Sequence, residues 1–358
     1  MQNAETVLSI LREHGAQGLP LDRLYRQLFN PSLYLHAYGK IYRNTGAMTP
    51  GVTSETVDGM ALTKIDAIIQ ALRMERYQWT PVRRIYIEKK RSKKLRPLGL
   101  PTWSDKLLQE VMRLLLEAYY EPRFSTHAHG FRPGRGCHTA LSEIYHNWVG
   151  TTWVIEGDIA QCFDCLDHAT RLSILSEDIH DGRFLHLVET LLRAGYRENW
   201  RYYATYSGSP QGSILSPILA NIYLAKLDRY VETTLIPAHT RGERRHINLA
   251  YRRLYGMARR RKNAGHLTEA AALRREMQRL PSLDPADPSY RRLRYIRYAD
   301  DVRHFIWQLA GPLPNVLLGF VGPRQEAEEI KRELGVFLHN TLHLTLSEEK
   351  TLITHART

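Results

Sequence analysis

The 358-residue chain is expected to fold as an α+β protein, because strand-like and helix-like segments both recur along it. Short apolar or alternating runs, "VRRIYIEKK" (82–90), "TWVIEGDI" (152–159) and "LRYIRY" (293–298), carry the strand signal. Longer segments place apolar residues three and four apart, as in Leu107, Leu108, Val111, Met112, Leu115 and Tyr119. The length is enough for a substantial core in one large or two ordinary domains.

In chain order, the first 80 or so residues suggest short helices and loops, with "TVLSILREHG" closing on Gly15 and "KIDAIIQALRME" of helical period. "VRRIYIEKK" alternates as a strand, and the basic "RSKK" turns the chain into "LRPLGLP". Thr102 with Asp105 three residues on resembles a capping box at the start of the Leu107–Tyr119 stripe. "GFRPGRG" forms a tight cationic loop, and "TWVIEGDI" is a strand with Asp158 at its end. "WRYYATY" is a further strand, followed by a Gly/Pro loop, "SGSPQGSILSP", with Ser216 and Pro217 as N-cap and first position of the next helix. Residues 241–280 are basic and helical. "PSLDPADPS" then breaks the chain before the strand that leads to Tyr298, Asp300 and Asp301. A final helix turns Ala327, Ile330, Leu334 and Leu338 inward, and "KTLIT" is a last strand.

A formal charge of +13 and a pI near 9.6 point to an anionic partner, first of all nucleic acid. The charge is clustered: eight cations against one acid from Arg83 to Arg96, and nine against one from Arg241 to Lys262. Solvated surface is the plain alternative for either run, but two such runs interleaved with Ile85, Tyr86, Ile87, Tyr251 and Tyr255 favour a groove that tracks phosphates. No uninterrupted apolar stretch approaches a membrane span, and the opening lacks the pattern of a signal peptide, so a cytoplasmic protein with no membrane partner is expected. Of the three cysteines, the Cys162–Cys165 pair suits a metal knuckle less well than a pair of small half-buried side chains, and no disulfide framework is supported.

The adjacent pair Asp300 and Asp301 raises the chemical question, since one carboxylate destabilises its neighbour unless a cation lies between them. If the strands ending at Asp158 and at Asp300 are neighbours in one sheet, three carboxylates converge and Mg²⁺ is the natural complement, able to share a substrate's phosphates. Taken alone, an Asp-Asp pair in a turn is weak evidence, because aspartates favour turns for their hydrogen bonds and most such pairs are structural.

Seven segments occur in a fixed order: "LYRQLFNPSLYLHAYGKIYRNTGAMTPGV", "KLRPLGLPTWSDKLLQ", "HGFRPGRGCHTAL", "EGDIAQCFDCLDH", "SGSPQGSILSPILANIYL", "RYADD" and "LTLSEEKTLITHA". On these the chain, from about Leu24 to its last residue, resembles the reverse transcriptases encoded by group II introns, also called intron maturases. The resemblance implies the fingers and palm of a right-hand polymerase, with an antiparallel palm sheet backed by helices. Residues 1–80 would be a helical extension of the fingers, 81–150 the fingers and 151–358 the palm, which carries a basic insertion at about 235–290.

It further implies RNA-directed DNA polymerase activity with two Mg²⁺ ions. Asp158, Asp300 and Asp301 would be the catalytic acids and metal ligands, helped by the Ile159 carbonyl. Phe163 would stack under the incoming sugar, Gln211 would lie beside the nucleotide, and Lys89 and Arg96 would grip the triphosphate under the loop of Arg132; a plain RNA contact is the alternative for Lys89. Asp164, Asp167 and His168 are assigned to capping and hydrogen bonding. The implied partners are group II intron RNA, an RNA template with a DNA primer, and deoxynucleoside triphosphates; a non-catalytic RNA-binding splicing helper is the alternative reading.

Two departures from the family pattern stand out. About fourteen residues, Val302 to Asn315, separate Asp301 from "VLLGFVG", so either Val302–Phe305 or "VLLGF" must form the return strand; the unusual stretch is placed at about 303–316. Relatives continue beyond "KTLITHA" into a helical thumb, whereas this chain stops at Thr358, which predicts weak, salt-sensitive template binding.

Overall fold

The computed structural model describes residues 2–44, 46–88, 95–160, 166–205, 212–298 and 315–356. Helices α1 (Ala4–Gln17), α2 (Leu24–Gln27), α3 (Pro31–Ile41) and α4 (Leu62–Arg73) open the chain. Strands β1 (Val82–Glu88) and β2 (Leu95–Leu100) lead to α5 (Trp103–Tyr120), β3 (Ala128–His129), α6 (Cys137–Asn147) and β4 (Trp153–Gly157). Then follow α7 (His168–Ser176), α8 (Gly182–Arg193), β5 (Tyr196–Glu198), β6 (Arg201–Tyr203), α9 (Ser216–Tyr230) and α10 (Ile236–Ala238). The chain continues through α11 (Leu249–Asn263), α12 (Leu267–Gln278), β7 (Arg292–Tyr298), β8 (Val316–Val321), α13 (Arg324–Leu342) and β9 (Leu352–His355).

Several local expectations shift by a residue or a turn. The first helix runs past Gly15 and ends where Gly18 adopts the left-handed conformation at φ 68°. Helix α9 begins at Ser216, so Pro217 occupies its second position and Leu215 flanks it. Thr102 does cap α5, accepting from the Asp105 amide, but the Asp105 carboxylate accepts instead from the Thr102 and Tyr77 hydroxyls and the Thr80 amide. Burial pushes the Asp105 carboxyl above its usual range, partly offset by those hydrogen bonds.

Helix α5 is apolar around most of its circumference, which is why it runs through the centre of the molecule; Leu107, Leu108, Val111, Met112 and Leu115 are wholly buried. One continuous core gathers residues from α1, α3 and α4, from α5, and from the second sheet with α9 and α13.

There are two sheets among the described residues. The first has the order β2-β1-β5-β6, with β1 and β2 antiparallel and β5 parallel to β1. The second has the order β3-β7-β8-β4-β9 and is antiparallel except for the short edge pair β3 and β7. Side chains alternate across it: Leu293, Tyr295, Leu318 and Phe320 join the main core, whereas Ile296, Tyr298 and Leu317 face α6 on the opposite side. Helices therefore cover both faces, and every residue of the central strand β8 is buried.

The "VLLGF" segment is the one that pairs, as β8, with β7 on one side and β4 on the other. Strands β4 and β7 are thus second neighbours rather than direct neighbours, which corrects the simplest version of the expectation from sequence.

Candidate catalytic rim

Gly157 at the end of β4 and Arg297 near the end of β7 share one register partner, Val316 of β8. Both strands are antiparallel to β8, so they run in the same direction and leave the sheet at the same edge. Two strand spacings separate them, about 10 Å. Asp158 directly follows β4 and is half-buried on this rim. Asp300 and Asp301 follow β7 in sequence and lie outside the described residues, as does the stretch from 299 to 314.

Asn315 ties the two strand exits together. Its carbonyl accepts from the Tyr298 amide at 2.9 Å, and its side-chain Oδ1 accepts from the Ile159 amide, also at 2.9 Å. On the other flank the Ser347 amide donates to the Asp158 carbonyl at 2.7 Å and the Ala160 amide to Thr345 at 2.9 Å. The backbone at Asp158 and Ile159 is therefore held from both sides by hydrogen bonds.

The Asp158 carboxylate accepts from the Lys350 ammonium at 3.0 Å. Its carboxylate oxygens are hard donors of the kind Mg²⁺ requires, and an ion bound there would share or displace the Lys350 contact. Among the described residues no three acidic, histidine or cysteine side chains gather to hold a metal, and two of the three acids expected to do so lie outside them.

Behind the rim lies a buried ionic network. Arg297, fully buried, donates from Nε and one terminal nitrogen to both oxygens of Asp228 on α9, at 2.7 and 2.9 Å, and from the other to Asn221 Oδ1 at 2.9 Å. Tyr295 donates to the same carboxylate at 2.6 Å, and burial holds its hydroxyl far above the usual range. Asn221 donates to the Gly130 carbonyl, which fastens the "GFRPGRG" loop to the same helix.

The side chain of Arg132 in that loop is largely covered and folded back on its own surroundings. It donates to Glu121, to the Ser125 carbonyl at 2.7 Å and to the Ala128 carbonyl at 2.5 Å, and its guanidinium lies 5.2 Å from the Phe124 ring centroid. In this arrangement it shapes the loop.

The remaining expected site residues fall as follows. Lys89, Phe163 and Gln211 lie outside the described residues, together with Asp164, Cys162 and Cys165. Arg96 sits in β2 opposite Ile87, and its side chain is likewise outside them. Asp167 caps α7 by accepting from the Thr170 amide at 2.7 Å, and His168 is buried as the first residue of that helix. Cys137 is a free thiol on α6.

Gly212, immediately after Gln211 in sequence, is packed against β2. Its φ of +111° and the 2.2 Å that would separate an added Cβ from the Gly99 carbonyl leave room only for glycine at that position. The buried Gln109 of α5 accepts from the Ser213 hydroxyl at 2.8 Å and the Ile214 amide at 3.0 Å on the loop's far side.

Asn315, Lys350 and Gln109 were not singled out from sequence. The signal for the last two was their place in the ordered segments "LTLSEEKTLITHA" and "KLLQ"; Asn315 carried none, because its two partners lie 17 and 156 positions away.

Residues 87–252 match the family described as reverse transcriptase (RNA-dependent DNA polymerase). The group II intron-encoded protein LtrA of Lactococcus lactis subsp. cremoris is 43% identical over 341 residues, covering 93% of this chain and 54% of LtrA. The 91 kDa protein in cob intron of Schizosaccharomyces pombe is 39% identical over 97% of this chain and 41% of its own length. Protein YkfC of Escherichia coli is 31% identical, with 94% of this chain and 80% of YkfC covered. The chain thus spans about half the length of the intron-encoded relatives it matches. Among solved structures, a chain of a Cas6-RT-Cas1–Cas2 complex is similar with a TM-score of 0.41 at 20% identity, over 69% of this chain and 43% of that one.

Proposed function

The chain belongs to the reverse transcriptases encoded by group II introns, and on that premise we propose that it copies RNA into DNA by extending a primer. The observation that carries this reading is the shared edge at which β4 and β7 end, with Asn315 bonded to both exits. In the proposed reaction the primer 3′-hydroxyl oxygen bonds to the α-phosphorus of a deoxynucleoside triphosphate, the bond to pyrophosphate breaks, and the hydroxyl proton is released to water.

Asp158, Asp300 and Asp301, with the Ile159 carbonyl, are the proposed holders of Mg²⁺, which when bound would lower the charge barrier to attack and neutralise the departing pyrophosphate. The protein's own part is positioning and electrostatics. Lys89 and Arg96 face the triphosphate in this reading, and Arg132 keeps the covering loop in shape. Phe163 lies against the sugar in this reading and leaves no room for a 2′-hydroxyl, and Gln211, next in sequence to the Gly212 that packs on β2, borders the nucleotide. Group II intron RNA is the proposed template, in line with the intron-encoded relatives.

Purified protein, a short RNA template with a DNA primer, the four nucleotides and Mg²⁺ test the reading. Asp158→Asn is expected to abolish extension while RNA binding stays within a factor of two or so, because one rim carboxylate contributes little to a phosphate-driven affinity. Extension that survives in Asp158→Asn would remove the rim from the chemistry, and a parent chain that binds RNA but extends no primer would favour the splicing helper.

A further inference from the structure

Helices α11 and α12 stand apart from the rest of the fold. Their buried residues, Leu254 and Ala258 on one and Ala270 on the other, belong to neither core cluster, so the pair is an arm held together by its own contacts. The arm is pinned at its root. The Asn248 amide donates to the Ser282 carbonyl and the Asp284 amide to the His246 carbonyl, and the His246 amide donates to the Asp287 carboxylate at 2.6 Å. Arg241 and Arg291 exchange backbone hydrogen bonds just before β7 begins.

That root lies at the start of β7, whereas the acidic rim lies beyond its end. Seven residues of strand separate them, about 20 Å. The arm therefore leaves the sheet at the edge opposite the site of synthesis.

Between Leu249 and Arg279 the arm carries nine arginines and lysines against two acids, Glu269 and Glu276. On α11 the cations are arranged on one side: Arg252, Tyr255 and Arg259 recur at helical spacing, flanked by Arg253 and Arg260, and all are exposed, while Leu254 and Ala258 turn the other way into the arm's interior. An exposed face of this length with no acid among its cations repels itself unless an anionic surface covers it. A stripe of cations with a single exposed tyrosine suits a double helix, whose phosphates line up along a groove, better than a single strand, which would call for several stacking platforms.

We propose that the α11–α12 arm is a second RNA-docking surface, remote from the catalytic rim, that takes the phosphate backbone of double-helical RNA. This rests on the reading of the chain as a protein that works on RNA, and it assigns the folded part of that RNA to the arm and the single-stranded part to the rim.

The test compares binding of a hairpin RNA of about 20 base pairs, and of a single-stranded RNA of similar size, across a salt series. The variants are Arg252→Glu/Arg259→Glu/Arg260→Glu, and the milder Arg252→Gln/Arg259→Gln/Arg260→Gln, which places neutral side chains at the same exposed positions. The charge-reversed chain is expected to bind the hairpin at least roughly tenfold more weakly near 0.1 M salt, with the slope of log affinity against log salt reduced by about three; the glutamine chain should show the same slope change with a smaller loss. Extension of a primer on a short unstructured template should equal that of the parent. Hairpin affinity and slope that match the parent in both variants would overturn the proposal, as would an equal loss for hairpin and single strand. Failure of the polymerase reading would show separately, as absence of extension by the parent chain with the hairpin comparison unaffected.

Discussion

Asn315 bonds across the mouth of the candidate site, one atom to each strand exit. Removing its side-chain acceptor leaves the Ile159 amide without that partner, at a cost of about 1–3 kcal/mol if the amide stays buried. Because the Asp158 carboxylate is attached to this backbone, small displacements there carry through to any ion it holds. A shift of about 1 Å can cost on the order of a hundredfold in rate. Asn315→Ala is expected to reduce primer extension by roughly ten- to a hundredfold and to speed hydrogen exchange at the Ile159 amide, whereas Asn315→Asp, which retains an acceptor, should keep that amide protected. Unchanged exchange in the alanine variant would show that the bond does not hold the rim. Lys350 matters differently: it is exposed, so its pair with Asp158 adds little stability and chiefly marks the spot as one that accepts positive charge.

Strand β7 and helix α9 are joined by the Arg297–Asp228 pair with Tyr295 and Asn221 around it. A buried pair of this kind is costly to break on one side. Arg297→Met leaves the Asp228 carboxylate buried without its cation and is expected to lose about 3–5 kcal/mol, measured by urea unfolding, while Arg297→Met/Asp228→Leu recovers much of that loss. Recovery absent in the double variant would mean that the pair itself, not the stranded charge, supplies the stability. At the arm's root, the His246 amide and the Ser289 hydroxyl donate to Asp287 and hold its carboxyl well below the usual carboxylate range. A depressed carboxyl contributes stability that is complete above the unfolded value, about pH 4, and is lost as the pH falls below it toward the folded value. Melting temperature followed from neutral pH down to about pH 3 should therefore fall more steeply in the parent than in Asp287→Asn; parallel curves would remove Asp287 from the acid response.

The second sheet and the N-terminal helices share one continuous core through α5. A single core predicts a single cooperative transition. Leu115→Ala, wholly buried in the middle of α5, is expected to cost about 2–5 kcal/mol and to lower tryptophan fluorescence and near-ultraviolet dichroism midpoints together. Two separated transitions would show that the N-terminal helices and the second sheet unfold independently. The charge of the whole molecule is uneven: one basic run begins in β1 at Arg83 and ends in β2 at Arg96, the other leads from Arg241 into the arm, and among the described residues no helix is long and apolar enough to cross a membrane.

Much of this was readable from local chemistry. The period-three and period-four stripe of α5, the alternation of β7 and the inward residues of α13 announce themselves because each depends on residues a few positions apart. The ordered segments, from "KLRPLGLP" to "LTLSEEKTLITHA", likewise carried the family in the chain itself. Choosing "VLLGF" over Val302–Phe305 as the return strand, putting β8 between the two acid-bearing strands, and placing Arg132 inside its own loop depended on contacts between residues far apart in sequence. Pairing energy of that kind is decided by which segment can bury both its faces at once, and in β8 every residue does so. Composition and spacing record what each segment can become, while its neighbours in space determine which of those possibilities has the lowest free energy.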